Sequence, residues 1–133
     1  MSLKFACRGL YGSRAEGEAV VSRKQVSFFG DVNEDGVIVA GDSDVRGTSI
    51  AGKVFAFPSA RGSTVGSYAL LRLKKAGKAP VAIINAKSDI IVAAGAVLAD
   101  IVLVDKVEPS FFEVVKTGDW VIVDAEKCVI VVE

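Results

Sequence analysis

Short apolar runs separated by polar turns make up most of the two ends of the chain. Residues 18–22, 25–29, 37–40 and 53–57 have the length and the β-branched and aromatic content that are typical of strands. Near the C-terminus, two further apolar runs flank a short polar link at residues 124–127. These patterns predict a β-rich chain that ends in a hairpin.

The middle of the chain has helical periodicity instead. Ala69, Leu70, Leu73 and Ala76 fall on one stripe, which predicts a helix over residues 63–76, with Gly77 just beyond its end. A second helix is predicted over residues 90–99 and is preceded by a good N-cap sequence, Ser88 and Asp89. Three short apolar strands alternate with these two helices, at residues 53–57, 81–84 and 101–104. The pattern predicts parallel strands joined by right-handed crossovers.

The predicted fold class is therefore mixed α/β, with β-rich outer segments around a small βαβαβ centre. The sequence contains no internal repeat, low-complexity tract or linker. We therefore expect residues 1–133 to form a single domain, a length that is sufficient for one hydrophobic core.

Composition and charge exclude several classes of protein. Hydrophobic residues make up 51% of the 133 residues, which argues against intrinsic disorder. Sixteen basic residues balance sixteen acidic ones, so the chain lacks the basic excess of a nucleic-acid-binding protein. The longest apolar run, residues 90–99, is shorter than the roughly 18 to 20 residues that span a bilayer. The N-terminus has no apolar signal region, so we expect a cytoplasmic protein without a membrane partner.

The residue types that are missing narrow the chemistry further. The sequence has no histidine, so a Ser-His-Asp or Cys-His centre within the chain is excluded. Cys7 and Cys128 are its two cysteines, and without a Cys-x-x-Cys motif the chain cannot hold an iron–sulfur cluster by itself. A disulfide between them is possible but is disfavoured in a reducing cytosol, so we expect both to be small core residues. Any metal would come from another chain.

The loop that follows the strand at residues 53–57 is the first candidate site. Pro58 ends the strand, small residues follow, and a helix begins at Ser63 or Thr64. Free backbone N–H groups at a helix start favour an anion, and Arg61 adds a forked cation beside them. The alternative is that Ser63 or Thr64 is only an N-cap and Arg61 only a surface residue.

A calcium loop is the second candidate. Asp31, Asn33, Asp35 and Asp42 have the spacing of ligands in an EF-hand, with Gly36 at its usual place. The last ligand is usually glutamate, however, and the flanking runs resemble strands rather than helices. We therefore interpret residues 31–36 as an Asn/Asp/Gly turn between two strands.

The aromatic residues at 109–112 and Trp120 form a third candidate, with two open interpretations. Exposed aromatic side chains at these positions would indicate a surface for a partner. A contribution to the core explains the same residues equally well.

Five segments in order along the chain carry a resemblance to a known family. Residues 16–22, 27–30, 47–54, 57–63 and 77–80 resemble the small subunit of the aconitase X family. The resemblance implies a swivelling β/β/α domain and a large-subunit partner that carries an iron–sulfur cluster and most of the substrate site. The chain looks most similar to the branch that dehydrates mevalonate 5-phosphate, a small phosphorylated hydroxy acid, to an anhydromevalonate phosphate for isoprenoid synthesis.

The resemblance also implies roles for residues of the loop. Ser63 matches the serine that takes the proton from the carbon next to the leaving hydroxyl, and Arg61 matches a contact to an anion. Gly62 and Thr64 flank this serine and are expected to contact the substrate. Two alternatives stay open: another dehydratase of the family, such as one acting on a hydroxyproline, or a non-catalytic binding module with the same fold.

Overall fold

The computed structural model describes residues 2–62 and 65–133. Within these residues the chain forms eight strands and three helices. In chain order the elements are β1 (Leu3–Ala6), β2 (Arg8–Tyr11), β3 (Arg14–Val21), β4 (Val54–Phe57), α1 (Val65–Lys75), β5 (Ala82–Asn85), α2 (Ile90–Ala99), β6 (Val102–Asp105), α3 (Ser110–Val114), β7 (Trp120–Asp124) and β8 (Val129–Val132).

The strands form one sheet in the order β1-β8-β7-β3-β4-β5-β6-β2. Strands β3 to β6 pair in parallel and the other neighbours are antiparallel. Strands β1 and β2 lie at opposite edges of the sheet, although only Cys7 separates them in the chain. The sheet must therefore curl until its two edges meet. At this closure a Cβ on Gly9 would lie 1.9 Å from the Ala125 carbonyl oxygen, so only glycine allows the approach.

Buried apolar side chains pack on both faces of the parallel strands. On one face, Phe5 and Phe111 meet edge to face at 5.4 Å, in a core shared with β7 and β8. On the other face, the aromatic rings of Phe28, Phe55 and Phe57 pack beneath α1 and α2. The result is two β layers and one helical layer, which confirms the predicted β/β/α architecture and its βαβαβ centre.

The two main helices begin and pack as their sequences require. The Asp89 carboxylate caps α2 by accepting a hydrogen bond from the Val92 N–H at 3.0 Å. Against α1, a Cβ on Gly95 would lie 2.6 Å from Leu70 Cδ1, so glycine permits the close approach of the helices. No described helix is long and apolar enough to cross a membrane.

Two of the predicted strands are wrong. In the segment 25–29 only Val26 pairs, through a single parallel bridge to Ala60, because the chain turns back at Asp31, whose N–H donates to the Ser27 carbonyl at 2.8 Å. In the segment 37–40, two isolated bridges replace a continuous strand. Three elements were not predicted at all: β1, β2 and α3.

The placement of the cysteines corrects another expectation. Cys7 is half-buried, and Cys128 is exposed in the turn between β7 and β8. Neither is a core residue, because the closure of the sheet and the hairpin turn place both cysteines at the periphery of the core. Of the aromatic candidates, Phe111 is buried in the core, whereas Trp120 is 41% exposed.

Candidate active site

The candidate loop begins where β4 ends, at the carboxyl edge of the parallel strands. Ligands of open α/β sheets bind in this position. The Pro58 carbonyl accepts hydrogen bonds from the N–H groups of Ala86 at 3.0 Å and Lys87 at 3.1 Å. The loop after β4 is thereby joined to the loop after β5.

A second segment fixes the other side of the loop. The Val26 N–H donates to the Ser59 carbonyl at 3.2 Å, and the Arg61 N–H donates to the Val26 carbonyl at 3.0 Å. The Gln25 side-chain amide also donates to the Ser59 hydroxyl at 2.8 Å. Because backbone hydrogen bonds hold the loop from two sides, its path up to Arg61 is fixed.

Arg61 is positioned by Asp31, a carboxylate that sequence reasoning considered as a calcium ligand and interpreted as part of a turn. Its Nη2 lies 3.2 Å from Asp31 Oδ2, and the same oxygen accepts the Ser27 N–H at 2.8 Å. The Asp31 side chain is 14% exposed and that of Arg61 is 48% exposed. The described contacts to Asp31 use one terminal nitrogen of the guanidinium, which holds the group at the surface of the loop.

Gly62 completes the described part of the loop. Its φ of +101° lies in the region that favours glycine, and a Cβ there would approach Ser27 Oγ to 3.0 Å. The predicted site residues Ser63 and Thr64 lie outside the described residues, and the description resumes at Val65, the first residue of α1. The structure therefore brings Arg61 and Gly62 to the end of the loop that leads into this helix.

Asn85 is a buried polar residue of this region that sequence reasoning missed. It ends β5, is 0% exposed, and its amide nitrogen donates to the Phe57 carbonyl at 2.9 Å. Its side-chain oxygen has no hydrogen-bond partner among the described residues. The available signal was an asparagine at the end of a run of buried apolar residues. The hydrogen bond from its side-chain amide fixes the backbone at the point where the candidate loop begins.

We expect Asn85→Ala to lower the free energy of unfolding by about 2 kcal/mol, because the buried Phe57 carbonyl loses its side-chain donor. Urea unfolding of the purified chain measures this change. Ser59→Ala is the matched control, since it removes a more exposed hydrogen bond of the same loop and should cost less. Equal stability of Asn85→Ala and the wild type would contradict this role.

The described part of the chain offers no set of metal ligands. Among the described residues, no group of three or more histidine, cysteine, aspartate or glutamate side chains could hold a metal ion. Cys7 lies between β1 and β2, and Cys128 lies in the turn between β7 and β8. The described residues therefore do not fit an iron–sulfur cluster.

Three exposed apolar side chains lie on α1, on α2 and on the segment that packs against them. A Cβ on Gly66 would contact both Phe28 and Ile91, so the segment before the turn and the first turn of α2 meet at this point. The neighbouring side chains point outward: Phe29 is 66% exposed, Tyr68 64% and Ile90 78%. We call these three residues the apolar rim.

Comparison with known proteins identifies the family of this chain. Residues 4–132 match the family model of the aconitase X swivel domain. The phosphomevalonate dehydratase small subunit of Archaeoglobus fulgidus is 50% identical over 125 residues, which cover 94% of this chain and 95% of that protein. The corresponding subunit of Thermococcus kodakarensis is 50% identical over 93% of this chain and 92% of its own length.

A solved structure of a related protein has nearly the same fold as this chain. The crystal structure of Thermococcus kodakaraensis aconitase X in its holo-form superimposes with a TM-score of 0.92 at 45% identity, covering 98% of both chains. The chain belongs to the aconitase X swivel-domain family, which confirms the resemblance found in the sequence.

Proposed function

We propose that this chain is the small subunit of a phosphomevalonate dehydratase, a hydro-lyase that removes water from mevalonate 5-phosphate. Near-full-length relatives at 50% identity that bear this name support the reaction. The observation that carries the assignment of the site is the loop from Pro58 to Gly62, which leads into α1 with Arg61 held in place by Asp31. We also propose that residues 1–133 form a single domain.

The proposed chemistry of this chain is a proton transfer. Ser63, as the alkoxide, takes the proton from the carbon next to the one that loses its hydroxyl, and the double bond of the anhydromevalonate phosphate forms between these carbons. The hydroxyl and one proton leave together as water, which regenerates the alkoxide over the full turnover. The positive end of α1 lowers the cost of the alkoxide. Arg61, Gly62 and Thr64 contact the anionic substrate, and the guanidinium fork suits a carboxylate or phosphate group.

The partner is an aconitase X large subunit, which carries the iron–sulfur cluster and the remaining substrate contacts. The apolar rim is the surface that this subunit covers. Its residues belong to α1, to α2 and to the segment beside Phe28, and the residue next to Phe29 and the residue next to Ile90 both pack near Gly66 in the first turn of α1. Exposed aromatic and aliphatic side chains on elements that lead to the site are typical of interfaces.

The substrate is tested with the assembled complex. We expect kcat/KM for mevalonate 5-phosphate to exceed that for a hydroxyproline by at least about 10²-fold, because a hydroxyproline lacks the phosphate group and leaves the groups that bind this phosphate unpaired. The reverse preference would make the chain part of the other dehydratase of the family. Assembly without turnover of either substrate would favour the non-catalytic module.

Asp31→Asn should raise KM for mevalonate 5-phosphate about tenfold and leave kcat within about threefold of the wild type. The amide can still accept the Ser27 N–H, but it no longer holds the Arg61 guanidinium by charge. Steady-state kinetics of the complex measures the change. Asp35→Asn is the matched control, because Asp35 lies exposed in the same turn. Equal kinetics of the two variants would show that Asp31 does not position Arg61.

A further inference from the structure

The closure of the sheet places the two cysteines opposite each other. In the pairing of β1 with β8, Ala6 faces Val129. The Cys7 N–H donates to the Cys128 carbonyl at 3.1 Å, so the pairing continues by one residue. A backbone hydrogen bond across an antiparallel pairing brings the Cα atoms of the two residues to about 5.5 Å. This separation lies within the roughly 4.4 to 6.8 Å between the Cα atoms of a disulfide.

The two thiols differ in access and in reactivity. Cys128 is exposed and has a φ of +56°, a backbone that glycine or asparagine adopts more readily. Cys7 is half-buried, and burial raises its pKa to about 11, with further contributions from the neighbouring Cys128 thiol and from Asp105 and Asp124. Thiolates are the nucleophiles of disulfide exchange, so a reagent in solution meets Cys128 first.

We propose that Cys7 and Cys128 form a reversible thiol–disulfide site that reacts with small-molecule disulfides such as oxidised glutathione. The Cys128 thiolate attacks one sulfur of the reagent, which forms a mixed disulfide and releases one thiolate. The Cys7 thiolate then attacks the Cys128 sulfur and releases the second. The two protein thiols are oxidised by two electrons, the reagent is reduced to two thiols, and the two protein protons end on these products.

The position of Cys7 gives the bond a structural consequence. Cys7 is the residue at which the chain passes from β1, at one edge of the sheet, to β2 at the other. A bond to Cys128 would hold this closure covalently and would enclose most of the chain in one loop. Long loops give the largest stabilisation in the chain-entropy model, and we expect Tm to rise by about 10 °C.

The full chain is incubated under native conditions with oxidised glutathione and then analysed by intact mass and peptide mapping. We expect a monomer lighter by two hydrogen atoms, a peptide link between Cys7 and Cys128, the rise in Tm, and reversal of all three by dithiothreitol. Cys7→Ser should instead accumulate one glutathione on Cys128, and Cys128→Ser should react far more slowly.

Two outcomes would overturn the proposal. One is a wild-type chain that retains glutathione on Cys128 beside a free Cys7 thiol, because the second attack would then not occur. The other is a disulfide-linked dimer through Cys128. Neither result bears on the dehydratase assignment, because the test needs no partner chain and no substrate.

Discussion

Ser63→Ala, assembled with the large subunit, should lose about 10²- to 10⁴-fold in turnover of mevalonate 5-phosphate, the range typical of removing a general base. This loss corresponds to roughly 3 to 5 kcal/mol of transition-state stabilisation at about 1.36 kcal/mol per tenfold change. KM should change little, because the substrate contacts assigned to Arg61 and Gly62 stay in place. Steady-state kinetics of complexes purified by size exclusion measures both parameters.

Ser59→Ala is the matched control for this variant. Ser59 lies in the same loop and accepts a hydrogen bond from Gln25, so its removal tests the loop without the proposed base. If Ser63 were only an N-cap, its replacement would cost about 1 kcal/mol of folding stability and leave turnover nearly intact. An assembled Ser63→Ala complex with turnover within about threefold of the wild type would therefore end the catalytic assignment.

Ile90→Glu should weaken binding to the large subunit by about 30-fold or more, the effect expected when a central apolar contact of an interface is lost. Ile90 is 78% exposed, so the change removes little from the core of the free chain. A glutamate in the first turn of α2 is also favoured by the helix dipole. Isothermal titration of the large subunit with the wild type and the variant measures the loss.

Val97→Glu provides the control, because Val97 is 54% exposed on the same helix but near its other end. We expect it to bind the large subunit with nearly wild-type affinity. Equal binding of all three chains would show that the apolar rim lies outside the interface. A loss confined to Val97→Glu would place the partner at the opposite end of α2.

The elements that the sequence predicted well are those whose signals are local. The predicted bounds of α2, residues 90–99, match the structure, because a capping aspartate precedes a continuous apolar run and another aspartate follows it. The parallel strands β4, β5 and β6 were each predicted within one residue. Their apolar runs reflect burial on both faces, which needs no knowledge of the partner strand.

The elements that were missed depend on distant partners. Strand β1 pairs with β8 at the other end of the chain, and β2 pairs with β6, so neither short segment contains the reason for its structure. At residues 25–29, in contrast, a strand was predicted that the structure does not contain. The residues there favour β structure, but they lie beside the candidate loop and form only one bridge. Helix α3 has five residues, too few for a periodic signal.

The candidate site, like the fold, was predictable only where its signals are local in the sequence. Arg61 could be identified because it stands between a strand and a helix start, whereas Gly62 was named only through the resemblance to the family. The role of Asp31 could not, since its bond to Arg61 joins segments thirty residues apart and its local sequence indicates a turn. Asn85 likewise acts on Phe57, which lies in a neighbouring strand.

The most direct test of the proposed function is a reconstitution titration. Increasing amounts of this chain are added to a fixed amount of anaerobically purified large subunit, and the dehydration of mevalonate 5-phosphate is followed by phosphorus NMR. We predict background turnover by either chain alone and a rate that rises in proportion to the added chain until the two are equimolar. Full turnover by the large subunit alone, or no turnover at any ratio although the chains assemble, would contradict the proposed function.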